Sequence, residues 1–329
     1  MACHIGVLPA ELLQTMSGHL DDKHMEEGEP CVHTEGLRFL RLPHPRTGIS
    51  SLFIPHETPE TSSILEVQSV APPNRRSWFL QEEVVEDGKL LVMTPIDPAF
   101  LLIHLLQLTL PTNGTAGNFR PADDIIEAAA SAVTSSTTEG GVAAFSSGDI
   151  LHLSTLRCVH AAMRRVCEYK EITPEITVFR YSPERAQEYL RTKVSRLSNP
   201  SVSELSRTLN RNLAKDGLLE DGKETLLVSA RTRVACDLVA QYLARDVFEN
   251  LLSSYDFASL DAHMKVLKDE SMALAAVNMN AIEAKESRDQ KVASAADKKR
   301  KAKGSHGVEQ LKKANTKGMS KLSSFFQKK

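Results

Sequence analysis

The stretch GKLLVMTPIDPAFLLIHLLQL, residues 88–108, joins a short strand pattern directly to an apolar helical pattern. Residues 88–94 end at a proline, and the next apolar run, residues 101–108, is long enough to be a helix. Asp97 can cap that helix, with Pro98 in its first turn, where the missing N–H costs nothing. Because the helix is apolar on every side, it is expected to be buried between layers or in a subunit interface.

Before this stretch, short apolar runs recur roughly every 10–15 residues and are bounded by Pro or Gly, a pattern typical of β-strands joined by turns. The runs are residues 37–42, 51–54, 63–70, 77–80 and 88–94. Asp87-Gly88 is a hairpin-turn signal ahead of the last run. We therefore predict a β-rich module over residues 35–110, preceded by a flexible N-terminus at residues 1–34.

After this stretch, apolar residues recur at helical spacing. Residues 111–149 are interpreted as a linker or insertion that contains one helix, at residues 122–133. The apolar pattern over residues 150–258 predicts a helical bundle. Its predicted helices cover residues 156–168, 182–197, 201–214 and 232–254. A weak, Ala- and Met-rich helix follows at residues 259–284. The chain is thus expected to be of the α+β class.

The charge of the chain is unevenly distributed. Its formal net charge is only -2. Residues 285–329, however, contain 14 Lys and Arg against 4 Asp and Glu, so the remainder is acidic. Large apolar residues nearly vanish from this tail, which predicts disorder. A basic tail on an acidic body is typical of chains that address nucleic acid, an import receptor or an acidic protein surface.

Within the tail, four adjacent cations suit the acidic groove of a nuclear import receptor. They are Lys298, Lys299, Arg300 and Lys301. A solubilising charge run is the alternative. The five cysteines include no C-x-x-C pair and indicate reduced thiols in the cytosol or nucleus. The sequence shows no signal peptide and no apolar stretch of about 18 residues that could span a bilayer.

No arrangement of residues in the sequence predicts an active site. A metal-dependent nuclease needs several convergent carboxylates. Adjacent helix residues point about 100° apart, so Asp123 and Asp124 do not converge on a metal ion. We interpret them as acidic residues at the start of a helix, where they interact favourably with the helix dipole. We interpret Glu82-Glu83 and Glu86-Asp87 as residues of a solvated loop. We interpret His104, which lies in the apolar segment, as a histidine of the core. We therefore expect no catalytic residue, no metal and no cofactor, although an enzyme with an unrecognised site remains a third interpretation.

The C-terminal segment places apolar side chains in a tail otherwise poor in them. If residues 322–325 form one 3₁₀ turn, Leu322 and Phe325 align on one side, with Phe326 beside them. This spacing matches the motif that docks on the sliding clamp of DNA replication. Met319 stands where that motif usually has Gln, which predicts modest affinity. An incidental apolar end is the alternative.

At these residues the chain resembles the B subunit of eukaryotic type 2 ribonuclease H, in a fungal-like version. The likeness covers roughly residues 35–260 and 308–329. It is carried by the segments RFLRLPHP (38–45), SWF (77–79), DGKL (87–90), TPIDPAFLL (94–102), FRPADD (119–124), YSPE (181–184) and KGMSKLSSFF (317–326).

The resemblance implies a specific assembly. The family's B subunit intertwines its strands with the C subunit in a triple β-barrel, which supports the catalytic A subunit with its carboxylates and magnesium. That complex cleaves RNA in RNA–DNA hybrids and incises at single ribonucleotides in DNA. The resemblance further implies a winged-helix-like helical module, clamp binding through the tail and a nuclear location. Nucleic-acid contact through this chain is left open.

The expected subunit-interface residues lie in the segment that contains the only Trp. They are Trp78, Phe79, Leu91, Pro95, Asp97, Pro98, Phe100, Leu101 and Leu102. An ordinary β-core with a capped helix is the alternative for these residues. A DNA-binding adaptor that uses the helical module and the clamp motif without nuclease partners is the alternative function.

Overall fold

A computed structural model describes residues 4–22, 38–74, 76–81, 83–111, 117–136 and 145–301. The β-rich module is built on a five-stranded sheet in the order β1-β7-β4-β3-β2. Its strands are β1 (Ile5–Val7), β2 (Leu40–Pro43), β3 (Ser50–Glu57), β4 (Ser62–Val70) and β7 (Leu90–Ile96). β1 and β7 are parallel, while the other neighbours are antiparallel. Four of the five predicted strands thus lie in this sheet, together with one additional strand from the N-terminus, while the predicted strand at residues 77–80 lies outside it.

The N-terminal residues form part of this module. β1 pairs with Leu90–Val92 of β7, and helix α1 (Ala10–Asp22) follows it. Leu12 of α1 is buried with Ile54 and Leu65 on one face of the sheet. The prediction of a flexible N-terminus at residues 1–34 is therefore wrong for residues 5–22. A three-residue strand is too short to show alternation, and the partners that order it lie about 80 residues away in sequence.

A separate two-stranded hairpin connects β4 to β7. It consists of β5 (Trp78–Leu80) and β6 (Glu83–Val85), with Trp78 opposite Val85. Strand β6 was not predicted. The prediction of a hairpin turn at Asp87-Gly88 was wrong, because the chain between β6 and β7 links two different sheets. Asp87-Gly88 has turn chemistry, but no hairpin closes there.

Helix α2 (Pro98–Gln107) begins where the sequence predicted. The Asp97 side chain accepts a hydrogen bond from the Ala99 N–H at 3.0 Å, and Pro98 occupies the first turn. Six of its residues are buried in the main core. The helix is apolar on every side because it is buried within this chain. Burial between layers was one of the two predicted explanations, and burial in a subunit interface was the other.

The region after α2 combines helices with a three-stranded sheet in the order β8-β10-β9. These strands are β8 (Arg120–Pro121), β9 (Cys167–Glu171) and β10 (Thr177–Tyr181). The expectation of helices alone over residues 150–258 is wrong here. β9 and β10 are short and their outer residues are polar, so the only local sign of the hairpin is the turn chemistry of Thr173-Pro174 between them.

The helices of this region pack around the same core as α2. They are α3 (Ala122–Ser136), α4 (Ser147–Leu151), α5 (Arg157–Val166), α6 (Pro183–Ser198), α7 (Pro200–Ser203), α8 (Arg207–Lys215), α9 (Glu224–Val239) and α10 (Arg245–Leu252). Buried α3 residues, such as Ile126 and Ala129, show that residues 111–149 are more than a linker. Two predicted single helices, residues 201–214 and 232–254, are each divided in two.

Both divisions have a local cause. Ser206 is an N-cap whose hydroxyl accepts from the Leu209 N–H, so α8 begins anew there. A 3₁₀ turn, Ala240–Tyr242, ends α9 and turns the Tyr242 hydroxyl towards Glu66 of β4, 3.0 Å away. Apolar spacing continues through both breaks, so the pattern alone did not reveal them.

Helix α11 (Ala258–Lys301) leads into the second compact unit, which comprises residues 261–329. The predicted weak helix at residues 259–284 lies within it. The prediction of disorder from residue 285 is wrong for residues 285–301, because an Ala- and Lys-rich segment without Gly or Pro favours a helix. Residues 302–329 lie outside the described residues.

Candidate assembly site

The β5–β6 hairpin presents apolar side chains to solvent. Phe79 is 79% exposed, Val84 59%, Leu80 43% and Trp78 36%. Isolated exposed apolar residues are common on protein surfaces. This short hairpin, however, exposes Phe79 and Val84 opposite each other on one face and Trp78 and Leu80 on the other, and such a density of apolar groups indicates a binding surface. We call these four residues the hairpin patch. A cleft of about 1170 Å³ that includes Phe79 and Val84 in its lining lies beside it.

The hairpin is held in place by contacts with the segment that leads into β7. The Trp78 indole N–H donates to the Lys89 carbonyl at 3.2 Å. Gly88 packs so closely on the backbone of Arg76 that a Cβ at this position would lie 2.2 Å from the Arg76 carbonyl oxygen. Only glycine permits that approach. The hairpin patch is therefore displayed on a supported element.

The β2 edge of the five-stranded sheet is closed to strand addition. The outward N–H of Arg41 donates to the buried Asp149 carboxylate at 3.0 Å. Pro43, two residues on, points its backbone the same way and has no N–H. Arg38 also contacts Asp149. A partner strand therefore has no free donor to meet along β2. The opposite edge of the sheet is formed by β1, which pairs with only Leu90–Val92 of β7.

The predicted interface residues divide into two groups. Trp78 and Phe79 are exposed, as is Pro95, while Leu91, Pro98 and Phe100 are half-buried. Leu101 and Leu102 are 2% and 1% exposed in this chain's own core, so their assignment to a subunit interface is wrong. A run apolar on all sides cannot indicate whether its own chain or a partner covers it. The sequence prediction also missed Leu80 and Val84, although Leu80 follows Phe79 directly.

Asp97 joins the two matched regions of the chain through its side chain. Its carboxylate accepts from the Tyr189 hydroxyl at 2.6 Å and contacts the Lys193 ammonium, both on α6. Burial alone would raise the pKa of Asp97. The hydrogen bonds from Lys193, Tyr189 and the Ala99 N–H outweigh burial and leave that pKa lowered. The described contacts therefore give Asp97 a structural role within this chain, and its assignment to a subunit interface stays a prediction.

We expect Asp97→Asn to lower the free energy of unfolding by about 2–4 kcal/mol, because a half-buried Lys193 loses its carboxylate. A carboxyl group whose pKa is lowered in the folded state stabilises above its unfolded pKa, and this contribution disappears as the pH falls through the folded pKa. Urea unfolding of the variant should therefore depend less on pH in acid than that of the unsubstituted chain.

The control for this prediction is Glu249→Gln, which removes the exposed partner of Arg245. Its effect should stay below about 0.5 kcal/mol, since exposed helix pairs contribute little. Equal effects of the two substitutions would contradict the role given to Asp97.

Two family models match the chain, and together they cover more than half of it. Residues 29–97 match the Ydr279p protein triple barrel domain. Residues 100–252 match the winged helix-turn-helix domain of the Ydr279p protein family, described as an RNase H2 complex component. The chain belongs to this family. The boundary between the two matched domains falls at the junction between β7 and α2, and the β8-β10-β9 sheet lies within the winged helix-turn-helix match.

Several proteins are similar to this Ydr279p family member, and each is the B subunit of a ribonuclease H2. The protein from Xenopus tropicalis is 28% identical over 304 residues, which is 88% of this chain and 87% of that protein. The one from Mus musculus is 23% identical over 70% of this chain and 67% of that protein. The one from Homo sapiens is 31% identical over a shorter part, 28% of this chain and 27% of that protein.

The described part of this Ydr279p family member contains no group of three or more His, Cys, Asp and Glu residues that could hold a metal ion. Asp123 and Asp124 lie in the first turn of α3, as predicted.

Burial raises the pKa of Cys167 to about 12 and that of Cys236 to about 11, so both thiols are protonated near neutral pH. Among the described helices, none is long and apolar enough to cross a membrane.

The predicted tail sites can be placed only in part. Lys298, Lys299, Arg300 and Lys301 lie on the last turns of α11. The four predicted clamp-binding residues, Met319, Leu322, Phe325 and Phe326, lie outside the described residues.

Proposed function

We propose that this chain is the non-catalytic accessory subunit of a heterotrimeric type 2 ribonuclease H. In this proposal the complex degrades RNA in RNA–DNA hybrids and removes ribonucleotides misincorporated in DNA. The observation that carries the proposal is the hairpin patch, a supported apolar surface on the barrel module of a chain that belongs to an RNase H2 component family. A surface of this kind needs a protein partner more than a substrate.

The proposed partners have separate roles. A C subunit covers the hairpin patch and adds strands to the barrel on the side away from the closed β2 edge. An A subunit supplies the carboxylates that bind magnesium and cleave the hybrid. The family description and the names of the relatives support the presence of other subunits in the complex, and the division between them is what the resemblance implies. Nuclease chemistry is assigned to the A subunit because the resemblance implies that the magnesium-binding carboxylates lie there.

The experiment that tests this function compares the chain alone with the reconstituted complex on a labelled RNA–DNA hybrid in magnesium. The chain alone should not cleave the hybrid, and omission of this chain from the reconstitution should leave the A subunit poorly active. A magnesium-dependent cleavage that purifies with this chain alone would contradict the proposal.

We propose further that the tail directs the complex to its place of action. Leu322, Phe325 and Phe326 would enter the apolar pocket of a replication sliding clamp, with Met319 at the motif's first position. The motif follows the two matched domains in sequence, so we propose that clamp binding recruits the complex without changing its chemistry. The support is the spacing of these residues and the near absence of other large apolar groups in the tail.

Nuclear import is the second role proposed for the tail. Replacement of Lys298, Lys299, Arg300 and Lys301 by Ala should shift a fluorescently tagged chain from the nucleus towards the cytoplasm, because an import receptor recognises adjacent cations by charge. The test should be made in cells without free partner subunits, which could carry the chain in. The control replaces Lys312, Lys313, Lys317 and Lys321. Unchanged nuclear accumulation of the first variant would favour a solubilising role.

A further inference from the structure

Helix α5 is positively charged, which is unusual because residues 1–284 as a whole are acidic. Its exposed residues are Arg157, His160, Ala161, Arg164 and Arg165. The helix contains no Asp or Glu. It also directly precedes the β9–β10 hairpin, the position that a recognition helix occupies in a winged-helix domain. Recognition helices normally contact base edges in the major groove through their N-terminal residues.

The N-terminal end of α5 is already occupied in this chain. Arg157 donates to Glu57 at 3.2 Å and to the carbonyls of Pro59 and Thr61, each at 3.1 Å. The Cys158 N–H donates to the Ser62 hydroxyl at 2.8 Å. These contacts attach the helix to the β3–β4 turn of the barrel module. A nucleic-acid groove cannot receive this end of α5 unless the two modules separate.

The C-terminal end of α5 is open and lies beside the hairpin and the start of α6. The guanidinium carbon of Arg164 lies 4.9 Å from the centre of the Tyr169 ring, and that of Arg185 lies 6.0 Å from it. Arg165 lies over Tyr189 at 5.9 Å. Tyr169 is 41% exposed. We call Arg164, Arg165, Tyr169 and Arg185 the arginine ridge.

The ridge keeps most of its positive charge. Arg164 is paired with Glu171 at 2.8 Å. Arg165 donates to the hydroxyl of Tyr189, and Arg185 donates to the carbonyl of Arg164, which are both neutral acceptors. Arginine presents several N–H donors in a fixed plane and binds phosphate with two of them at once. The ring beneath the guanidinium groups limits their rotamers, so less freedom is lost when a phosphate binds.

We propose that this chain holds the phosphate backbone of a nucleic-acid duplex on the arginine ridge, and that it does not read bases with the N-terminal end of α5. The duplex then lies along the C-terminal end of the helix and the β9–β10 hairpin. This contact would add a direct nucleic-acid site to the proposed function. The ridge proposal rests on the proposed function only in one respect, the choice of an RNA–DNA hybrid as one of the two probes.

The test uses the full chain and measures fluorescence anisotropy of two labelled duplexes with one sequence, an RNA–DNA hybrid and a DNA duplex. Arg165→Gln with Arg185→Gln should weaken binding of both about tenfold near 100 mM salt. The slope of log affinity against log salt should fall by roughly 1.8 on DNA, since two phosphate contacts are lost. Arg165→Lys with Arg185→Lys should retain more of the affinity, since it keeps the charge.

The matched control is Arg207→Gln with Arg211→Gln on α8, another exposed pair of arginines. It should leave both affinity and slope nearly unchanged. The ridge proposal is overturned if the control loses as much affinity as the ridge variant, if the ridge variant keeps its full salt slope, or if only one of the duplexes is affected. Recovery of the partner subunits with the ridge variant should stay normal, which separates this result from a failure of the proposed function.

Discussion

Trp78→Ala combined with Phe79→Ala is expected to weaken association with the C subunit, with a loss of about 3–4 kcal/mol, or roughly 100- to 1000-fold in Kd. Large aromatic side chains at the centre of an interface dominate binding energy when the partner desolvates them. Because Phe79 is 79% exposed in this chain, its truncation opens no cavity here. Titration of the purified chains by calorimetry measures the loss of affinity.

The control for the hairpin variant removes exposed apolar groups elsewhere on the same chain. Leu205 is 81% exposed and Val228 61%, and both lie outside the barrel module. Their replacement by Ala should leave association unchanged. If the hairpin variant binds the C subunit as tightly as the unsubstituted chain does, the partner uses another surface and the assignment of the hairpin patch fails.

Phe325→Ala with Phe326→Ala is expected to abolish detectable binding to the sliding clamp. The tail loses conformational freedom when it docks, so two aromatics and Leu322 must supply most of the net binding energy. Hybrid cleavage by the assembled complex should remain unchanged in the absence of clamp. Calorimetry of a peptide of residues 308–329 with the clamp measures the first effect, and a steady-state assay measures the second.

A gain-of-binding variant provides the internal control for the clamp prediction. Met319→Gln adds the amide that the clamp motif usually carries and should tighten binding of the peptide, because the Met thioether is only a weak hydrogen-bond acceptor. No detectable binding of the unsubstituted peptide, or a double variant that loses cleavage without clamp, would contradict the role given to this motif.

Local signals in the sequence predicted several elements correctly. The start of α2 was predicted because Asp97 and Pro98 act within one turn of the helix, and the structure confirms the cap. The helix α6 was predicted in the same way from Ser182 and Pro183, and the Ser182 hydroxyl accepts from the Arg185 N–H. Caps of this kind depend on neighbours in sequence, so no tertiary information was needed.

The hairpin turn illustrates where local signals fail. Asp87-Gly88 has the composition of a turn, yet Gly88 is required by its close approach to Arg76. The hairpin instead turns near Gln81, whose φ is 52°, a value that a residue other than Gly rarely adopts. The requirement for Gly88 arises from tertiary contact, and the sequence pattern contains no sign of it.

The assembly surface could be predicted only in part, for a related reason. Apolar patterning identified both the α2 run and the Trp78-Phe79 pair as candidates for burial. It could not indicate that α2 packs against α3 and α5 with Leu101 and Leu102 buried, while Phe79 remains exposed. That distinction depends on which elements pack together, and the resemblance to a family did not provide it residue by residue.

The most direct test of the central claim is affinity purification of the tagged full chain from its native cells, followed by quantitative mass spectrometry. The account predicts two partners in near-equal amounts, one of them carrying ribonuclease H activity on a hybrid. Both should be recovered when Phe325 and Phe326 are replaced by Ala, and both should be lost with the Trp78→Ala, Phe79→Ala variant. Recovery of the clamp alone, without a nuclease, would contradict the account and identify the chain as a DNA-binding adaptor.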